Sequence, residues 1–291
     1  MAGDGGRVTT FVWMAVLGAA LLHALWNSVV KSAGDKFMGS ARVALWTGVV
    51  AVLVAFATPA PLAASLPYVI ASALIHIVYF LLVGRLYRNA DLSVAYPLMR
   101  GLAPLVATAI AAVTLREIPD AVALVGVLGL VAGVATMGLS GLAHGRIDRA
   151  TLIIALANSA VIAIYSVIDG AGARLAGPDA AHAFAYNAWS DALTAAFYLP
   201  LVLVLRGKAA GREFLRDPVR CAFAGLAAFG GYAIVVWAMT QSTIGAVAAL
   251  RECSVVFAAI IGVVFLGEPF RGVRAGAALL ILGGVIALRF A

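Results

Sequence analysis

The chain has 291 residues, of which 64% are hydrophobic and 11% charged, with a formal net charge of +7. A soluble globular domain carries about 25% charged residues, so that class is excluded and a membrane protein remains. The surplus cations lie between apolar runs, where they report membrane orientation rather than a nucleic-acid surface.

Ten apolar segments follow one another near residues 10–31, 41–57, 67–88, 92–115, 120–140, 150–173, 180–205, 218–240, 243–266 and 271–290. They are long enough to cross a bilayer as helices, the shorter ones with little tilt. The leading MAGDGGRVTT carries one Arg and no small-residue cleavage site follows, so the first helix reads as retained. Cys221 and Cys253 are too few for a disulfide framework.

The first segment places His23, Trp26, Asn27 and Val30 on one helical face. Such a face should look inward, with His23 either a ligand group or a satisfied interior histidine, and Asn27 either lining a cavity or bonding a neighbouring helix. The third segment puts Ser72, His76, Tyr79 and Val83 on one face, and the fourth sets Tyr96 one turn before Arg100. The sixth carries Asn158, Tyr165, Ser166 and Asp169. The seventh carries a polar stripe of Asn187, Ser190, Asp191, Thr194 and Tyr198 that either lines a cavity or packs between helices.

Arg100 is the residue most at odds with its surroundings. Counted from Leu92, it lies about 12 Å into a hydrocarbon layer roughly 30 Å thick. A central Arg costs about 2.5 to 3.5 kcal/mol against lipid, so it should face protein or water. Pro97 and Pro104 flank it and predict a kink. The arrangement returns 151 residues later, with Arg251 opposite Arg100 and Glu268 opposite Glu117. In that register 11 of the 40 positions from Ala95 to Val134 are identical, most of them small or aliphatic, but the Arg and Glu pairs would not recur by chance. An internal duplication follows, with halves at 1–145 and 146–291. Five helices per half is odd, so the second copy enters the membrane from the opposite side and the repeats are inverted.

Glu117 and Glu268 precede apolar helices and are read as complements to their N-terminal dipoles. Gly129-xxx-Gly133 and Gly272-xxx-Gly276 are small-residue spacings that suit packing within the monomer as well as a dimer. One set of alternate connections holds 14 Lys and Arg and the other 4, which places both termini outside the cytoplasm.

Taken with LLHALWNSVVKSAGDK, YRNADLSVAYPLMRGLAPL and the LGEP ending of the ninth segment, the chain resembles the drug/metabolite transporter superfamily in its EamA-type ten-helix branch. The resemblance implies an all-α membrane protein in the inner membrane, a central cavity lined by helices 1, 3, 4, 6, 8 and 9, and export of amino acids or related metabolites. It implies substrate contacts from His76, Tyr79 and Tyr96, while no tryptophans stand near Leu98 or Ala160 as in exporters of aromatic amino acids. HALWN with YPxxRG is similar to a phosphonate-associated subgroup. The family norm places both termini in the cytoplasm, opposite to the charge count.

The resulting expectation is a secondary transporter or facilitator of a small anionic or zwitterionic metabolite. Arg100 and Arg251 are its anchors because a guanidinium presents two parallel donors to two oxygens. Trp26, Asn27 and Tyr165 complete the lining. Glu252 either neutralises one Arg or holds a substrate ammonium, and the charged trio may equally be read as a structural ion-pair network. Glu252, His23 and Asp191 are the candidate proton carriers. No cofactor, metal or nucleic acid is expected, the lipid bilayer and a small solute are the partners, and a monomer suffices. A small cation is the alternative substrate, and a receptor or assembly subunit the alternative class. HExxH, GxSxG and Walker motifs are all missing, which leaves an enzyme without support.

Overall fold

Aspartates start several of the helices. Asp35 accepts from Phe37 N at 3.0 Å and Met38 N at 3.1 Å, Asp148 from Thr151 N at 2.8 Å, and Asp179 from His182 N at 3.1 Å. Each supplies an acceptor to a first-turn N–H that has no partner inside its helix. The Asp35 cap begins the second helix at Lys36, five residues before the apolar run that announces it in the sequence.

The computed structural model describes residues 8–89, 97, 99–142, 148–207, 210–266 and 272–291. In chain order the helices are α1 (Thr10–Lys31), α2 (Lys36–Ala57), α3 (Leu66–Asn89), α4 (Ala103–Thr114), α5 (Ala121–Leu142), α6 (Arg149–Leu175), α7 (Ala180–Arg206), α8 (Pro218–Gln241), α9 (Ile244–Arg251), α10 (Ser254–Leu266) and α11 (Gly272–Phe290), with a single turn at Ala210–Glu213. The described residues contain no strand. Among the described residues seven spans are apolar and long enough to cross a membrane, and the segments 99–114, 121–136 and 275–290 are shorter apolar helices.

Two of the expected continuous helices are broken. The fourth segment is interrupted at Leu102, beside Pro104, and the ninth at Glu252 and Cys253. At the second break the backbone tightens, with Glu252 N donating to Ala249 O at 2.9 Å and Cys253 N to Leu250 O at 3.1 Å. No proline stands there, so the interruption belongs to the position and not to that residue type.

Helices distant in the chain pack in pairs. α1 packs on α8 and α3 on α6; α2 meets α7 and α5 meets α11; α1 touches α10 and α4 touches α6. Outward faces carry large apolar side chains, Phe56 at 89% exposure and Val113 at 83% among them, as a lipid-facing surface requires.

The small-residue spacings divide. A Cβ on Gly133 would stand 2.7 Å from Ala277 O and 3.0 Å from Ile281 N, so this glycine lets α11 approach α5 within one chain. A Cβ on Gly276 meets nothing within 4 Å. Gly133→Ala is therefore expected to cost about 1–3 kcal/mol through overpacking. Gly276→Ala should be neutral or stabilise by up to about 1 kcal/mol through helix propensity. Denaturation of the purified variants checks the contrast; equal effects would contradict it.

Glu117 does not serve the helix that follows it. Arg116 adopts a positive φ of 58°, and the turn sends the Glu117 carboxylate to Ile244 N at 2.7 Å and into an ion pair with Arg174. Arg174 also donates to Met239 O at 2.9 Å and Ser242 O at 3.0 Å, which ties α6 to the end of α8. The start of α5 is capped instead by Asp120, which accepts from Ala123 N at 2.7 Å. Glu268 lies outside the described residues.

Candidate functional site

The two helix breaks bring the conspicuous charges together. Arg100 stands just before the first, Arg251 ends α9, and Glu252 occupies the turn between α9 and α10. A turn released from helical geometry lets Glu252 point away from its neighbour and across the bundle. Arg100 Nε donates to Glu252 Oε2 and Arg100 Nη2 to Glu252 Oε1, both at 2.7 Å, a fork in which each oxygen receives one N–H. Arg100, Glu252 and Arg251 are 0%, 1% and 2% exposed. Two guanidinium groups and one carboxylate leave this buried cluster with one unmatched positive charge.

The two arginines differ in what satisfies them. Arg100 has its fork to Glu252, and its Nη1 lies 3.0 Å from His23 Nε2. Arg251 reaches Ser166 Oγ with Nη2 at a long 3.4 Å, and its Nε stands 3.9 Å from Glu252 Oε1, beyond hydrogen-bond range. That Nε is buried without a hydrogen-bond partner.

Around Arg251 the bundle places aromatic rings. The guanidinium carbon lies 5.8 Å from the ring centres of both Tyr165 on α6 and Tyr232 on α8, within cation–π range. His76 lies against Tyr165 at 4.3 Å with the rings tilted by 31°, and Tyr79 meets Tyr165 edge-on at 5.8 Å. Behind them Asp169 accepts from Tyr186 Oη at 3.1 Å and from Tyr232 Oη. His76 Nδ1 lies 3.0 Å from Ser72 O, and Ser190 on α7 donates to Ser72 Oγ at 2.8 Å.

His23 is pressed by donors on both ring nitrogens, Arg100 at Nε2 and the Trp26 indole N–H at Nδ1, 3.2 Å away. A neutral imidazole accepts at one nitrogen only, and a protonated one would set N–H against N–H at both.

The remaining expected residues fall as follows. Trp26 contacts the cluster through His23, while Asn27 turns back to its own helix and donates to His23 O at 2.8 Å. Asp191 accepts from Asn187 on the same helix at 3.0 Å. Tyr96 lies outside the described residues. Tyr232 is absent from the sequence expectations, since one tyrosine in the apolar α8 has no polar companion at helical spacing to mark it. A fold in which helix 8 lines the centre is the only pointer to it.

A lipid-belted, all-helical bundle with buried charges at two helix breaks has the build of a multi-pass membrane transporter. Residues 149–290 match the model of the EamA-like transporter family. No curated protein matches the sequence. One solved crystal structure superposes with a TM-score of 0.68 at 19% identity, covering 96% of this chain and 95% of the other, a shared fold over nearly the whole length. A transporter of this family handles small solutes within a lipid bilayer.

Proposed function

We propose that the protein is a secondary transporter or facilitator of a small anionic or zwitterionic metabolite, an amino acid or a close relative, whose carboxylate docks on Arg251. The observation that carries this reading is the buried Arg251 Nε without an acceptor, in a cluster with one positive charge in excess. A buried donor left unmade costs about 1–3 kcal/mol, more when charged, and a ligand carboxylate supplies what is missing. Tyr165, Tyr232, Tyr79 and His76 form the wall. The rings of Tyr165 and Tyr232 already face the protein's own guanidinium, which disfavours a cationic substrate.

Arg100 serves this site as a fixed partner of Glu252 rather than as a second anchor. We read ten membrane crossings in two inverted halves, 1–145 and 146–291, working by alternating access. Reciprocal packing of α1 on α8 with α3 on α6 supports the two-fold relation, and breaks beside Arg100 and Arg251 supply hinges in equivalent places. Burial of all three charges describes an occluded arrangement, so substrate entry requires one half to rock against the other. Export is the direction that the resemblance implies. Protein reconstituted in vesicles should accelerate flux of labelled amino acids above that of empty vesicles. Flux no faster than in empty vesicles, across carboxylates and phosphonates, would refute a transport role.

A further inference from the structure

A polar cavity opens between the α1–α2 connection and the start of α8, with Arg251 outside its wall. Its volume is about 220 Å³, and its wall includes Ser32, Asp35, Arg42, Arg216, Asp217 and Arg220. Arg42 sits in the second turn of α2 and is only 7% exposed. Its Nε donates to Met38 O at 3.3 Å, and among the described residues no ion pair or hydrogen bond takes its two terminal nitrogens. A guanidinium this buried, lining a cavity with its fork unfilled, is built to receive an oxyanion.

The other charges on the wall sharpen the assignment. Asp35 is engaged by the α2 cap and by Arg206 at 3.1 Å, and Glu213 lies 3.7 Å from Arg216. Arg220 Nη2 donates to Ser32 Oγ at 2.7 Å on the rim. Asp217 precedes the 24-residue α8 without capping it with its side chain, so that helix presents first-turn N–H groups with no side-chain acceptor. Among the described residues Asp217 is the one wall carboxylate with no cation in ion-pair range, and it can accept from a donor on the ligand. The adjoining connection, residues 206–220, holds five Lys and Arg, a composition drawn to an anionic headgroup layer.

We infer that this cavity binds the phosphate of a membrane phospholipid on Arg42, with Arg220 at its mouth and Asp217 accepting from a hydroxyl or ammonium of the headgroup. Phosphatidylglycerol and phosphatidylethanolamine carry such a donor; phosphatidylcholine does not. The site stands apart from Arg251 and does not depend on what the protein transports.

The test is native mass spectrometry and thermal melting of the full-length protein in an uncharged detergent, with these three lipids and soluble glycerol 3-phosphate as probes. Phosphatidylglycerol and phosphatidylethanolamine should bind about tenfold or more tightly than phosphatidylcholine, a margin that Asp217→Asn should remove, whereas Arg42→Gln, which loses the phosphate anchor, should weaken all three lipids about tenfold or more. Arg220→Gln, on the exposed rim, keeps the test open if Arg42→Gln does not fold, and should weaken both favoured lipids about threefold. Unchanged lipid affinity in folded Arg42→Gln, or no loss in Arg220→Gln where Arg42→Gln does not fold, would overturn the site. Glycerol 3-phosphate binding as tightly as the lipids would overturn the assignment to the membrane.

Discussion

Glu252→Gln should destabilise the folded protein by about 3–5 kcal/mol, because it removes the carboxylate from a buried pair and leaves its partner charged. Glu252 faces the Arg100 fork at two distances of 2.7 Å, and neither residue is more than 1% exposed. The amide cannot offset a guanidinium, and no water reaches it to share the load. Removing both charges, as in Arg100→Gln with Glu252→Gln, should restore most of the loss, since the desolvation cost leaves with the pair. Equilibrium unfolding in detergent of the two single variants and the double variant reads the coupling directly. A Glu252→Gln protein as stable as the parent would show that the fork contributes nothing.

Arg251→Gln should do the reverse, sparing the fold and weakening ligand binding. The substitution leaves the Arg100–Glu252 fork intact and removes the charge in excess, so stability should hold or rise. A hydrogen-bonded contact to a charged group contributes about 1.5–3 kcal/mol, so substrate affinity should fall about 10- to 150-fold. Arg251→Lys keeps the charge without the planar fork and should recover only part of the loss. Flux assays on vesicles carrying equal amounts of each variant separate the two residues: Arg251→Gln is folded with impaired flux, Glu252→Gln poorly folded. Full flux through Arg251→Gln would remove it from the site.

The charged centre was legible in the sequence because a cation inside an apolar helix stands out without any knowledge of the fold. Its wiring was not. Glu252 is adjacent to Arg251 in the chain, yet it serves Arg100, 152 residues away, because the helix stops between them. Continuous helical periodicity over residues 243–266 predicts the wrong direction for Glu252, and Pro104 announces only the first of the two breaks. Glu117 was misassigned for a related reason, since the turn at Arg116 carries its side chain to α9 instead of α5. His76, Tyr79 and Tyr165 were visible as inward faces, whereas Tyr232 joins them only through the packing of α8 on α6. Asn27 shares the face of His23 and Trp26, but its amide is spent on the backbone one turn back.

What separates an anion anchor from a purely structural charge cluster is whether a ligand oxyanion completes Arg251. Purified protein and its Arg251→Gln variant should be screened by thermal shift against amino acids, small phosphonates and small organic cations. Melting of the parent should rise with at least one carboxylate or phosphonate and with none of the cations, and the variant should show no such rise. Stabilisation by a cation, or a carboxylate-induced rise of equal size in Arg251→Gln, would contradict the assignment of Arg251 as the residue that holds the solute.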